Sequence, residues 1–165
     1  MLVVLVFLFL GSFASVFAQK NAETKEVNSF ELFWPVVAGR TMGDSLYRLK
    51  IFKENVRGAL IFGKSQKVDY EVFLSIKRAV EAEKLLADGK VDLAKKTLEK
   101  MSKLLDEALS NLEAAQGERI ENIDEVNKRL DNLEIFLPHL ASRYEQVKDE
   151  LQRLLGQVEK LNQGI

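Results

Sequence analysis

Cysteine is missing from the 165 residues, and histidine occurs once, at His139. No cysteine means no disulfide, no thiol nucleophile, no cysteine-based zinc site and no iron–sulfur cluster. One histidine leaves no multi-histidine metal site, and no patterned Asp or His partner makes a triad of it. His139 therefore reads as a surface residue, and no cofactor is expected. Excess charge of one sign is missing too: 24 basic residues stand against 25 acidic ones, so no nucleic-acid partner is expected. Glycine (nine) and proline (two) are scarce, while charged residues make up 30% of the chain. That balance suits amphipathic helices with wet faces. Nucleotide-binding glycine loops, HExxH, CxxC and GxSxG are all absent, and carboxylates sit at spacings suited to helix-surface ion pairs. The expectation is a protein that is not an enzyme.

Residues Met1 to Ala18 carry no charge, and fifteen of the eighteen are apolar. Val16-Phe17-Ala18 places small residues at both specificity positions of a signal-peptidase site, predicting cleavage before Gln19. A basic n-region is lacking, so an uncut anchor is the first alternative and a core helix the second. The reading is an exported protein, periplasmic or at the cell surface, membrane-anchored if residues 2–18 stay uncut. Residues 19–29 form a polar linker, and an apolar patch from Phe30 to Val37 follows, holding Trp34 and Pro35. That patch is either a strap packed onto the helices or an exposed aromatic loop.

Three helices are then predicted. The first starts at an Asp44–Ser45 cap and runs to about Ile61. Leu46, Leu49, Phe52, Val56, Ala59 and Leu60 form its apolar stripe, taken as the core face. Six basic residues, Arg48, Lys50, Lys53, Arg57, Lys64 and Lys67, against Glu54 alone make a candidate surface for anionic lipid or a cell-wall polymer. The second helix spans about Ser65 to Asp88 and the third about Val91 to Gln116. The short turn at Gly89 makes them an antiparallel hairpin.

Twelve apolar residues then alternate at spacings of three and four: Ile123, Val126, Leu130, Leu133, Leu137, Leu140, Tyr144, Val147, Leu151, Leu154, Val158 and Leu161. A sustained 3.5-residue period predicts a coiled-coil seam. Pro138 lies inside it without changing the phase, which favours one long helix kinked at Pro138 over two helices folded back on each other. The seam is the candidate partner-binding surface, within the chain, in self-association or with another protein. The predicted architecture is all-α: a helical domain over 30–117 and a coiled-coil-like helix over 118–165.

The segment from Gly43 to Lys50 (GDSLYRLK) and the turn from Leu85 to Lys90 (LLADGK) resemble an uncharacterised bacterial helical domain family. Its members show a P-x-(S/D)-P-L-Y-x-L-K lead-in to the first helix and an L-L-x-x-G-K hairpin turn, behind a signal or membrane segment. The resemblance covers about Phe30 to Ala115, with Ser45 where a proline is frequent. It implies an exported all-helical module of bacterial origin and transfers no catalytic residue. Three functions follow as expectations: a structural or interaction protein working through the C-terminal seam, a periplasmic chaperone or envelope-stress sensor binding unfolded clients, and a membrane- or wall-associated anchor.

Overall fold

The computed structural model describes residues 27–115, 120 and 122–165. The segment read as a signal and most of the linker lie outside the described residues. Among the described residues six helices follow in order: α1 (Ser29–Phe33), α2 (Tyr47–Ala59), α3 (Lys64–Ala87), α4 (Val91–Ala114), α5 (Ile123–Arg143) and α6 (Lys148–Gly164). A short 3-10 turn, Glu145–Val147, separates the last two. No strand occurs among the described residues. The all-α hairpin bundle expected from periodicity is the architecture found.

α3 and α4 form the expected antiparallel hairpin. Gly89 adopts φ +72°, the left-handed conformation that Cβ disfavours in other residues. Lys90 N–H then donates to the Leu85 carbonyl (2.8 Å) and Gly89 N–H to that of Leu86 (3.0 Å), the paired bonds of a Schellman motif. A Cβ at Gly89 would meet nothing, so the backbone alone sets the cost of replacing it. Gly89→Ala is expected to lower unfolding free energy by about 1 kcal/mol, and Gly89→Asn by less, in urea titrations.

α5 and α6 form a second antiparallel hairpin, in which Asn162 bonds Asp131 and Glu134. The two hairpins meet with α3 beside α5 and α4 beside α6. These contacts run parallel: Asp69 faces Arg129, Lys95 pairs with Glu150 and Ser102 bonds Gln157. One continuous core draws on α1 and α3 to α6, so the boundary expected near residue 117 does not divide it. Phe33 from the N-terminal strap enters this core and meets Phe136 edge-on at 5.3 Å. The strap divides its aromatics: Phe33 is buried, while Phe30 and Trp34 stay exposed and contact each other. Trp34 ends α1 in an extended conformation, as the following Pro35 requires, and the Trp34–Pro35 peptide is cis.

The single long C-terminal helix is not what forms. Pro138 sits on an exposed side of α5, and the helix continues past it to Arg143. The break comes at Tyr144 (φ −131°, ψ 82°). Just before it, Ser142 Oγ donates to the His139 carbonyl (2.7 Å), taking up an acceptor at the helix end. Tyr144 and Val147 pack against the core within the break, so the apolar spacing continues although the helix does not. That is why an unbroken heptad phase misled: it records positions facing a core, not an uninterrupted helix.

The seam is correspondingly internal. Val126, Leu130, Leu133, Leu137, Leu140, Val147, Leu151, Leu154, Val158 and Leu161 are buried, and Ile123 and Tyr144 pack partly buried against them. The expected partner surface is the interior of the bundle, because α5 and α6 cover each other and the α3–α4 hairpin covers both.

Candidate functional site

α2 lies outside this ring of four helices, antiparallel along α3. Lys50 reaches Glu81, Glu54 reaches Lys77 and Arg78, and the ring of Tyr70 stacks close to Gly58. The inward face of α2 is polar. Tyr47 and Glu54 are buried, and Tyr70 Oη donates to the Glu54 carbonyl (2.9 Å). Arg78 bridges both acids, bonding Glu54 and donating to Glu81 Oε1 (2.6 Å). Lys50 also donates to the carbonyls of Ala38 (3.2 Å) and Arg40 (2.8 Å), tying down the loop before α2. Three cations thus meet two carboxylates beneath the helix.

Burial alone would raise the Glu54 carboxyl, but Lys77 and Arg78 outweigh it and hold it below the ordinary carboxylate range. Burial alone would likewise lower Arg78, and Glu81 and Glu54 instead hold it above its ordinary value. Burial together with the charge of Arg78 lowers Lys100, whose ammonium lies 5.0 Å from the Tyr47 ring centroid. Burial raises the Tyr47 hydroxyl. The Glu81 Oε2 and Tyr47 Oη atoms are buried without a hydrogen-bond partner among the described residues. Glu71, farther along α3, is pushed up by burial although Asn111 Nδ2 donates to both its oxygens (2.8 and 3.0 Å). No cluster of potential metal ligands occurs among the described residues.

With its polar side inward, α2 presents its apolar side to solvent. Leu49 is 54% exposed, Phe52 63%, Leu60 68% and the following Phe62 87%. Leu46 and Val56 are exposed as well. The stripe assigned to the core in the sequence reading is therefore the outer surface. Asp44, expected to cap this helix, instead accepts the Thr41 N–H (2.9 Å), and α2 starts at Tyr47 with no side-chain cap.

The six basic candidates do not share one face. Arg48, Lys53 and Arg57 are exposed on α2. Lys50 is drawn under the helix to Glu81. Lys64 and Lys67 belong to α3, where Lys64 donates to Asn111 Oδ1 (2.9 Å). At 3.6 residues per turn, Leu49, Phe52, Val56 and Leu60 fall within an arc of about 80°. Arg48 borders that arc on one side, and Lys53 and Arg57 border it on the other. His139, read as a surface residue, is half-buried, and no described residue bonds its Nε2.

The inward charges carried a signal that sequence reasoning passed over. Lys50 and Glu54 are four apart on one helix; Lys77, Arg78 and Glu81 are three and four apart on the next. Complementary charges at matching spacings on consecutive antiparallel helices mark facing sides, and they outrank an apolar stripe whose direction is ambiguous.

The search of curated proteins and that of solved structures found no match. A family model described as "Domain of unknown function (DUF5667)" matches residues 39–133, which is more than half the chain. The match opens in the loop that Lys50 holds, takes in α2, the α3–α4 hairpin and the first half of α5, and so contains the whole charged layer and the exposed stripe. The chain belongs to this family of helical domains of unknown function.

Proposed function

We propose that this protein is an exported, non-catalytic interaction module whose working surface is the outer face of α2. One observation carries the reading: a helix docked by its charges, with Leu49, Phe52, Val56 and Leu60 turned to solvent. Large apolar side chains gathered on one exposed face are a feature of binding surfaces. Folding gains little from keeping them there, since their burial would stabilise the chain by roughly 1.5–3 kcal/mol each. Export rests on the apolar run Met1 to Ala18. The client-binding reading draws on the same exposed Phe52 and would show as suppressed aggregation of a model unfolded protein.

The test is a photo-crosslinking amino acid placed at Phe52, Val56 or Leu60 in cells, with Lys96 on the exposed side of α4 as control. Adducts to protein or to lipid from the α2 positions and none from Lys96 are the expected result; silence at all three α2 positions overturns the reading. In parallel, the triple variant Leu49→Ser, Phe52→Ser, Leu60→Ser is expected to keep its unfolding free energy within about 0.5 kcal/mol per site, as surface substitutions do.

A further inference from the structure

The outer face of α2 is built for a surface of one particular chemistry. We infer that it docks in the plane of an anionic lipid bilayer, with Phe52, Leu49, Val56 and Leu60 entering the boundary between headgroups and acyl chains. This rests on the interaction reading above and names its partner. Three observations point to it.

The first is charge. Between Tyr47 and Phe62 the single acid is Glu54, and it is turned inward and paired. What remains outside is apolar, basic or the uncharged Asn55, with Arg48 along one border of the stripe and Lys53 and Arg57 along the other. A helix lying in a membrane interface has this pattern: an apolar face sunk into the boundary, and cations at its edges level with the phosphates. Long basic side chains keep their charge in the headgroup layer while their stems follow the apolar surface.

The second is shape. α2 is held against α3 by its inward charges, so its stripe faces away from the bundle. A flat bilayer can take the whole stripe at once. A second copy is the poorer occupant, because stripe against stripe would bring three cations of one chain onto three of the other.

The third is tethering. Residues 19–26 separate the described part from the apolar run Met1 to Ala18. Eight residues extend at most about 29 Å. With that run kept as an anchor, the domain cannot leave the bilayer surface, and a weak interfacial helix is enough to orient it. With the run removed, α2 is the remaining means of return.

The chain lacks cysteine, so a single introduced one gives a unique label. The experiment uses the purified full chain carrying Ala59→Cys with an environment-sensitive fluorophore, mixed with phosphatidylcholine vesicles with and without phosphatidylglycerol. Glu99→Cys, on exposed α4, is the control position. The readout reports where α2 lies, whatever residues 1–18 contribute to binding. Expected are a blue shift at position 59 with phosphatidylglycerol vesicles, none at position 99, and loss of the shift at high salt, where screening shortens to about 3 Å at 1 M. Adding Phe52→Ser and Leu60→Ser should raise the lipid concentration for half-maximal shift by at least about tenfold, equivalent to ~1.4 kcal/mol. Arg48→Glu with Arg57→Glu should abolish the preference for phosphatidylglycerol while leaving the fold intact.

No shift at position 59 with either vesicle, or equal shifts at 59 and 99, overturns the inference. If protein adducts nevertheless form from Phe52 in cells, the interaction reading stands and its partner is a protein. If vesicles and crosslinks are both silent, both fail. A shift at 59 that grows with protein concentration and needs no lipid would instead assign the face to a second copy.

Discussion

Replacing Leu130 and Leu151 together by Asp is expected to unfold this protein. Both side chains are fully buried, one on α5 and one on α6, in the single core. Each substitution removes apolar burial and puts a carboxylate where no cation waits, a change among the most costly a core can suffer, about 4 kcal/mol or more per site. A domain of this size has about 5–15 kcal/mol in total, so the pair consumes most or all of it. Far-UV circular dichroism should show helix content lost throughout, including α3 and α4. A seam between chains would behave otherwise: the hairpin would keep its helicity while the mass of the assembly fell. The same geometry predicts a monomer for the unmodified chain in lipid-free buffer at every dilution.

Arg78→Met is expected to be the most damaging change outside the apolar core. Arg78 is 3% exposed and bonds both Glu54 and Glu81. Without it, among the described residues Glu54 keeps its ion pair with Lys77 and Glu81 its ion pair with Lys50, with the Lys100 charge acting on both. Removing one partner from a buried charge cluster costs about 3–5 kcal/mol, mostly from the charges left behind. The two lysines soften this, so a loss of about 3 kcal/mol is expected in urea unfolding, with α2 amides exchanging faster than those of α3 and α4. Combining Arg78→Met with Glu54→Leu and Glu81→Leu should recover most of the loss, since a buried charge group replaced by apolar residues is often neutral. Lys50 and Lys77 can then turn to water. The pH dependence follows from direction. The folded Glu54 carboxyl lies below its unfolded value, so its contribution is complete above the ordinary carboxylate range and is lost as pH falls through the folded value. Arg78→Met should flatten that acid limb. Glu71 runs the other way: raised in the fold, it burdens the protein at neutral pH, and acidification relieves it.

Periodicity revealed the helices well because their apolar faces repeat on the helical period. α3 and α4 begin and end within two residues of expectation, and Gly89 marked the turn by a conformational need that is local to the chain. What periodicity leaves out is direction. The stripe from Leu46 to Leu60 has the same spacing as a core face and is not one, because Lys50 and Glu54 on the other side find charged partners on α3 and Tyr47 is buried beside them. The C-terminal seam faces a core as expected, yet a 3.5-residue period cannot say whether the covering helix belongs to the same chain. The bend at Tyr144 depends on Ser142 and on the α6 packing, which lie within the helical pattern and carry no glycine or proline signal. Pro138 was the visible signal and proved the weaker one.

The charged layer under α2 also divides the ways in which this sequence is free to change over generations. Leu49, Phe52, Val56 and Leu60 contribute little to folding, so a lineage can exchange them singly without passing through an unstable ancestor. Glu54, Arg78 and Glu81 have no such freedom. Each holds the others in place, and an inherited change at one is tolerated only with compensation at another. Within one short helix, adjacent positions therefore meet opposite demands from folding: independent substitution on the outside, concerted replacement on the inside.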